Sequence, residues 1–317
     1  MPPYLRPSTL LRACRASVEG RAALWVCIVA ISACGAQLAA QTPRFRARVD
    51  TIQVTVTVTD ANGRLITDLG KDDFEIIEDG IPQQVTQFTA ERVPVSLGVL
   101  LDGSDSMRGE RMVDARAAFD RFVAELLQPD DEAFVATFNH APKMVADWKQ
   151  PPAVLAHTLD GVRPWGGTAI YDALVALAPM LDHRTNTRAA LVVISDGADT
   201  ASDRTLQQAR EKIRRTDAFV YAIAIDAADA PITTRVNAEA LREITGPSGG
   251  YTELVREPTD LAPATERIAN ELNHQYTLGY SASRPPDGTW RNIRVRVHNR
   301  EYFTRARRGY FAERLPS

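Results

Sequence analysis

Cysteine is nearly absent from this chain: Cys14, Cys27 and Cys34 are the only three in 317 residues, and none lies beyond position 34. The remaining chain therefore has no disulfide framework and no thiolate zinc site, and an ordinary hydrophobic core must hold it together. Strong charge of either sign is missing too. The net charge is -3, or -6 once the four arginines and one glutamate of the first 33 residues are set aside, which describes a mildly acidic protein without the basic footprint of nucleic-acid binding. Arg305-Ala306-Arg307-Arg308 reads as a solvated strand edge or turn. Histidine is scarce, and His140, His157, His183, His274 and His298 show no metal-ligand spacing. Walker and Rossmann glycine patterns are lacking. Gly246-Pro247-Ser248-Gly249-Gly250 matches a nucleophile elbow in letters only, because a helix pattern precedes it and a strand pattern follows, the reverse of what that motif needs.

A long apolar run occurs at the N-terminus. Arg6, Arg12, Arg15 and Arg21 lead into the twelve apolar-core residues from Ala22 to Ala33, the pattern of an export signal within residues 1–41. Three endings stand open. Ile31-Ser32-Ala33-Cys34-Gly35 resembles a lipoprotein box, in which Cys34 would be lipidated and tether the protein to a membrane. Leu38-Ala39-Ala40-Gln41 is an imperfect site for ordinary cleavage, and residues 22–40 approach the length of an uncleaved anchor. The expected location is periplasmic or cell-surface, or secreted if no anchor is kept.

Beyond a short linker, Thr51 to Thr59 alternates β-branched apolar and polar residues, and the segments around Asp79-Gly80 read as two further strands. From Val95 the texture changes to apolar runs alternating with helical periodicity, the mark of an α/β domain with a doubly wound, mostly parallel sheet. Strands are expected at Ser96–Leu101, Glu132–Asn139, Lys143–Trp148, Ala189–Ser195, Phe219–Ile225 and Gly250–Leu254. Helices are expected at Glu110–Leu127, Val154–Gly161, Thr168–Asp182, Arg204–Thr216, Thr234–Thr245 and Thr259–Asn273. From Gln275 the pattern is β again. Three or so strands at each end cannot bury a core separately, so residues 42–92 and 273–317 are expected to form one small β-sandwich-like domain with the α/β domain, 93–272, inserted between them.

The chemistry concentrates where the strands of the α/β domain end. Asp102, Ser104 and Ser106 follow the apolar run Val95 to Leu101 at alternate positions, Thr168 follows two glycines at the head of a helix pattern, and Asp196 ends the apolar run Ala189 to Ser195. Ligands in open parallel sheets bind outside the carboxyl ends of the strands. Five oxygen side chains with only two carboxylates suit a hard divalent cation and leave it under-neutralised. Helix capping by Ser104 and Ser106 is compatible with the same role. These residues resemble the metal-ion-dependent adhesion site, DxSxS…T…D, of the von Willebrand factor A (VWA) family, and the segment Lys71 to Gly80 resembles the lead-in of exported bacterial VWA-related proteins. The resemblance implies bound Mg²⁺ or Mn²⁺, hydroxyls coordinating directly with some acids acting through water, and a protein ligand that offers an acidic residue to the metal.

Around that set, Asp172 stands one helical turn past Thr168 and is a candidate for hydrogen-bond support, with an ordinary helix-face acid as the simpler reading. Asp105 is a further candidate for the supporting shell or the partner-facing rim. Trp165 and His140 are candidates for the partner-facing rim. Two other functions compete: a structural or assembly protein of the cell envelope whose metal only steadies loops, and a metal-dependent hydrolase. Phosphatase chemistry through an aspartyl phosphate wants an acid two residues after Asp102, where Ser104 stands, so a non-enzymatic binding protein is the expectation.

Overall fold

Two runs of eight consecutive buried residues, β5 (Val95–Asp102) and β8 (Arg188–Ser195), lie side by side at the centre of the protein. Burial on both faces is what a parallel strand between helical layers requires, and it explains why neither run alternates. The computed structural model describes residues 51–150, 152–226 and 236–313; the export signal, Cys34 and the linker after it lie outside them. With β6 (Glu132–Phe138), β7 (Pro142–Ala146), β9 (Phe219–Ile225) and β10 (Thr252–Val255) the central sheet has the order β10-β9-β8-β5-β6-β7, parallel throughout except for β7. The order reverses between β5 and β8, which makes their carboxyl ends a switch point at which connections leave to opposite faces.

One face of the sheet is covered by α1 (Glu110–Leu126) and by the last helix, α6 (Leu261–Asn273), through Phe119, Phe122, Ile268 and Leu272. The other face carries α3 (Ile170–Leu177), α4 (Leu206–Arg214) and α5 (Ala238–Thr245), through Leu174, Ile213 and Ile244. Gly98, in mid-strand, is needed for this packing: a Cβ there would meet the Phe134 ring at 2.5 Å and Leu191 at 2.7 Å. Two expected helices are shorter than their periodicity suggests. Val154–Gly161 is reduced to α2 (Pro152–Leu155), because His157 takes a left-handed conformation and the Thr158 hydroxyl claims the Leu155 carbonyl. Thr168–Asp182 begins at Ile170 and gives way at Ala178 to a 3₁₀ turn containing Pro179, which cannot donate to the helical ladder. For the segment expected at Thr234–Thr245, the described part begins its helix at Ala238, with Asn237 as the cap accepting from the Ala240 amide.

The two ends of the described chain interleave. β1 (Thr51–Thr59) and β4 (Val85–Thr89) flank β11 (Tyr276–Ser281), and β2 (Phe74–Glu78) pairs with β12 (Trp290–Val297), all antiparallel. β13 (Phe303–Ala306) completes the first sheet, β13-β1-β11-β4, while β3 (Ile81–Gln83) and β14 (Gly309–Phe311) complete the second, β14-β12-β2-β3. The sheets share one apolar cluster that includes Val56, Ile76, Leu278 and Val295, which is the sandwich expected from the alternating sequence. A buried polar knot joins it to the α/β layers. Glu271 of α6 accepts from the hydroxyls of Tyr221 on β9 at 2.8 Å and Thr57 on β1 at 3.0 Å, and it pairs with Arg305 of β13.

Candidate metal centre

Asp102 is the last residue of β5, and its carboxylate is held before anything else is bound. Oδ1 accepts from the Ser104 amide at 2.8 Å, and Oδ2 accepts from the Ser195 hydroxyl at 2.5 Å. The side chain is fully buried, and that burial pushes its pKa up to about 6, with the nearby Asp196 carboxylate adding to the rise and the hydrogen bonds from Ser195 and Ser104 opposing it. Ser104 then begins a short 3₁₀ turn (Asp105–Met107) that carries Ser106 back over the strand ends. The two serine hydroxyls lie 3.0 Å apart, and Ser106 Oγ donates to Asp196 Oδ1 at 2.7 Å.

Thr168 reaches the same place from the third side. A Cβ added to Gly197 would lie 3.2 Å from Thr168 Oγ1 and 3.6 Å from Ser106 Oγ, so the glycine after Asp196 leaves open the space that these hydroxyls enclose. The Thr168 carbonyl accepts from the amides of Thr200 at 2.8 Å and Ala201 at 3.0 Å, and its amide donates to the Thr200 hydroxyl. The loop after β8 thus grips the turn before α3 through backbone groups. Gly103, Trp165 and Asp105 add a second clasp: the Trp165 amide donates to the Gly103 carbonyl and the Asp105 amide to the Gly166 carbonyl, each at 2.9 Å. All five residues singled out in the sequence therefore meet at the switch point, and Asp102, Ser104, Thr168 and Asp196 are buried there.

The rim residues divide. Asp105 points outward and pairs with Arg108 at 2.6 Å. Asp172 does not support the oxygen set; its carboxylate accepts from the amides of Asp203 and Arg204, at 3.0 and 2.9 Å, and so fastens the approach to α4. The helical-turn spacing from Thr168 is real, but it aims the side chain at that loop. His140 accepts from the Gly167 amide at 3.1 Å through Nε2, and its ring stands 5.7 Å from that of Trp165. Trp165 is 58% exposed on this support. Two participants carry no motif signal. Ser195 could be suspected only as the strand residue before Asp196, and Arg111 of α1 is identified by structure alone: its guanidinium donates to the Ser106 carbonyl at 2.9 Å and lies 3.5 Å from Asp196 Oδ2.

The donor set fits a divalent cation. Three hydroxyls and two carboxylates, without nitrogen or sulfur, are hard ligands. Asp102 is a fully buried carboxylate that burial disfavours in its charged form despite its hydrogen bonds, and a cation beside it would offset that cost.

Residues 97–198 match the family model of the von Willebrand factor type A domain. Among curated proteins no relative matches. Solved structures with the same fold include a von Willebrand factor type A protein from Catenulispora acidiphila, at 16% identity and a TM-score of 0.51, covering 85% of this chain and 65% of that one. Proximal thread matrix protein 1 from the mussel byssus, solved with a zinc-occupied metal-ion-dependent adhesion site, matches at 15% identity and a TM-score of 0.51, covering 62% of this chain and 49% of that one.

Proposed function

The chain belongs to the proteins that carry a von Willebrand factor type A domain, and on that premise we propose that it is an exported binding protein which holds a protein partner through a divalent cation. The observation that carries this reading is the meeting of Asp102, Ser104, Ser106 and Asp196, from the ends of β5 and β8, with Thr168, from the turn before α3, around the space left by Gly197. These five would hold Mg²⁺ or Mn²⁺, and the ion would supply a positive charge open to a carboxylate oxygen of the partner. The chain's own residues do the rest. Ser195 and the Ser104 amide fix the Asp102 carboxylate, Arg111 steadies the Ser106 carbonyl beside Asp196, and the clasp between Gly103 and Trp165 keeps an aromatic side chain exposed at the rim. Exposed tryptophan is a favoured anchor at protein interfaces.

Binding rather than catalysis is supported by the same geometry. Ser248, the serine of the elbow-like Gly246–Gly250 stretch, is buried with its hydroxyl donated to the Thr245 carbonyl. His140, the histidine nearest the rim motif, has Nε2 engaged by the Gly167 amide. Export and a lipid tether through Cys34 belong to this reading through the N-terminal sequence. The deciding experiment is calorimetric titration of Mg²⁺ and of Mn²⁺ into the chelator-stripped protein beside its Ser104→Ala/Ser106→Ala variant. One saturable site that disappears in the variant supports the reading; heat of binding that survives in the variant, or none in either protein, sinks it.

A further inference from the structure

The corner of the sandwich where β12 faces β13 carries a groove with uncompensated positive charge. β12 alternates inward and outward, so Arg291, Ile293 and Val295 are buried while Asn292, Arg294 and Arg296 are exposed on the outer face. On one side β12 is paired with β2 along Ile293–Val297, but on the other β14 reaches only Trp290 to Asn292. Beyond Asn292 that edge faces β13, which is ladder-paired with β1 alone: the Ile293 amide donates to the Arg308 carbonyl and the Thr304 hydroxyl to the Val295 carbonyl, each at 2.8 Å. A groove of about 1000 Å³ runs along these two edges, lined by Arg294, Arg296, Phe303 and Arg308, with the backbone of Gly249 and Gly250 as part of its wall.

The charge is concentrated. Residues 291–308 contain seven arginines and one acid, Glu301, in a chain of net charge -3. Arg291, Arg305 and Arg307 are spent inside the fold, on Glu78 and Asp287, on Glu271 and on Asp217. Among the described residues, Arg294, Arg296 and Arg308 have no carboxylate within ion-pairing distance. The carboxylate that lines the groove, Asp79, is engaged by Arg284 and Asn292.

We infer that this groove is a docking surface for an extended acidic segment of a partner protein. Arg294 and Arg296 are two residues apart on a strand, roughly 6.5 to 7 Å, which is also the repeat of alternate side chains in an extended peptide. A guanidinium fork receives a carboxylate through two parallel hydrogen bonds, so guanidinium groups at this spacing along a groove select an extended segment with acids at alternate positions. Phe303, 58% exposed, offers an apolar contact beside them. A second copy of the same edge would bring arginine against arginine, and a flat anionic surface would not follow a groove. Gly249 and Gly250 precede β10 and abut Phe219 and Val220, where β9 starts. The groove thus lies at the amino ends of the parallel strands, whereas Asp102 and Asp196 stand at the carboxyl ends, and its occupation is independent of the metal reading.

The test is fluorescence anisotropy of a labelled alternating Glu–Thr peptide with the full chain, in chelator and at low ionic strength, where surface charge is least screened. Saturable binding is expected, weakened at least about tenfold by Arg294→Glu/Arg296→Glu and unchanged by Ser104→Ala/Ser106→Ala. Both arginines are exposed, so the thermal midpoint of the charge-reversal variant should match that of the wild type; if it does not, Arg308→Glu replaces it as the deciding variant. The inference is overturned by equal affinity for a peptide with the same glutamates clustered at one end, by tighter binding to phosphatidylglycerol vesicles than to the peptide, or by indifference to charge reversal.

Discussion

The Ser106 hydroxyl donates to Asp196 Oδ1 across 2.7 Å, although 90 residues separate the two in sequence. The contact ties the end of β8 to the turn after β5 and presets two of the five oxygens, so little chain has to be ordered when a cation binds. A ligand that binds only the folded protein stabilises it by about 2.7 kcal/mol at a hundred times its dissociation constant. Mg²⁺ at that excess should therefore raise the free energy of unfolding by about that amount in wild type and leave Ser104→Ala/Ser106→Ala unmoved. Urea unfolding with and without Mg²⁺ measures it, and an equal gain in the variant would place the ion elsewhere.

Asp102 contributes a pH dependence of its own to the metal-free protein. Its pKa, pushed up to about 6 by burial, lies above the ordinary 3.8, so between these values the folded protein binds more protons than the unfolded chain. Stability from this residue is therefore greatest at low pH and is lost as pH rises through about 3.8 to 6, a loss on the order of 3 kcal/mol at neutral pH. Asp102→Asn keeps the shape without the charge and should be the more stable protein at pH 7 in chelator, with the advantage gone by pH 4. Denaturation of both proteins across that range checks the sign; wild type gaining on the variant as pH rises would contradict it.

The strand ends were legible because two constraints agree there. The apolar runs of β5 and β8 announce strands buried on both faces, and the oxygen residues directly after them fall at the only places such strands surface. Thr168 was legible from the glycines before it. What stayed hidden depends on loop paths. Asp172 has the spacing of a supporting acid, yet its direction is decided by the chain at Ser202 to Arg204, which it fastens. Arg111 enters only because the 3₁₀ turn at Asp105–Met107 places the Ser106 carbonyl within reach of the start of α1. In the sandwich, alternation revealed the strands and their shared core, while the passage of the chain from β12 in one sheet to β13 in the other left no mark in composition.

Gly197 offers a test of the enclosed space that spares every oxygen. A Cβ at 3.2 Å from Thr168 Oγ1 is tighter than ordinary contact, and it would stand where the hydroxyls of Thr168 and Ser106 face inward. Gly197→Ala should therefore fold, with a stability change of about 1 kcal/mol or less, and lose metal affinity by roughly tenfold or more. Calorimetry reads the affinity and thermal unfolding the fold. Undiminished affinity would mean that the cation does not occupy the space beside Gly197.

Glu271 joins the sandwich to the α/β layers, and its removal should be felt throughout the molecule. The carboxylate is nearly inaccessible, accepts from Tyr221 and Thr57, and pairs with Arg305. It also holds the Tyr221 hydroxyl neutral, since burial first and the adjacent carboxylate next raise that pKa well above the usual phenol value. Glu271→Ala would leave a partly buried guanidinium without its counter-charge and two hydroxyls without an acceptor, a loss of about 2 to 4 kcal/mol. Glu271→Gln keeps an acceptor for the hydroxyls and should lose distinctly less. Urea denaturation followed by both fluorescence and circular dichroism should show a single shared transition in wild type. In Glu271→Ala the expected result is earlier unfolding, with the two signals separating as the sandwich loses its hold on α6; coincident and unshifted transitions would show that the knot contributes nothing to the coupling of the two parts.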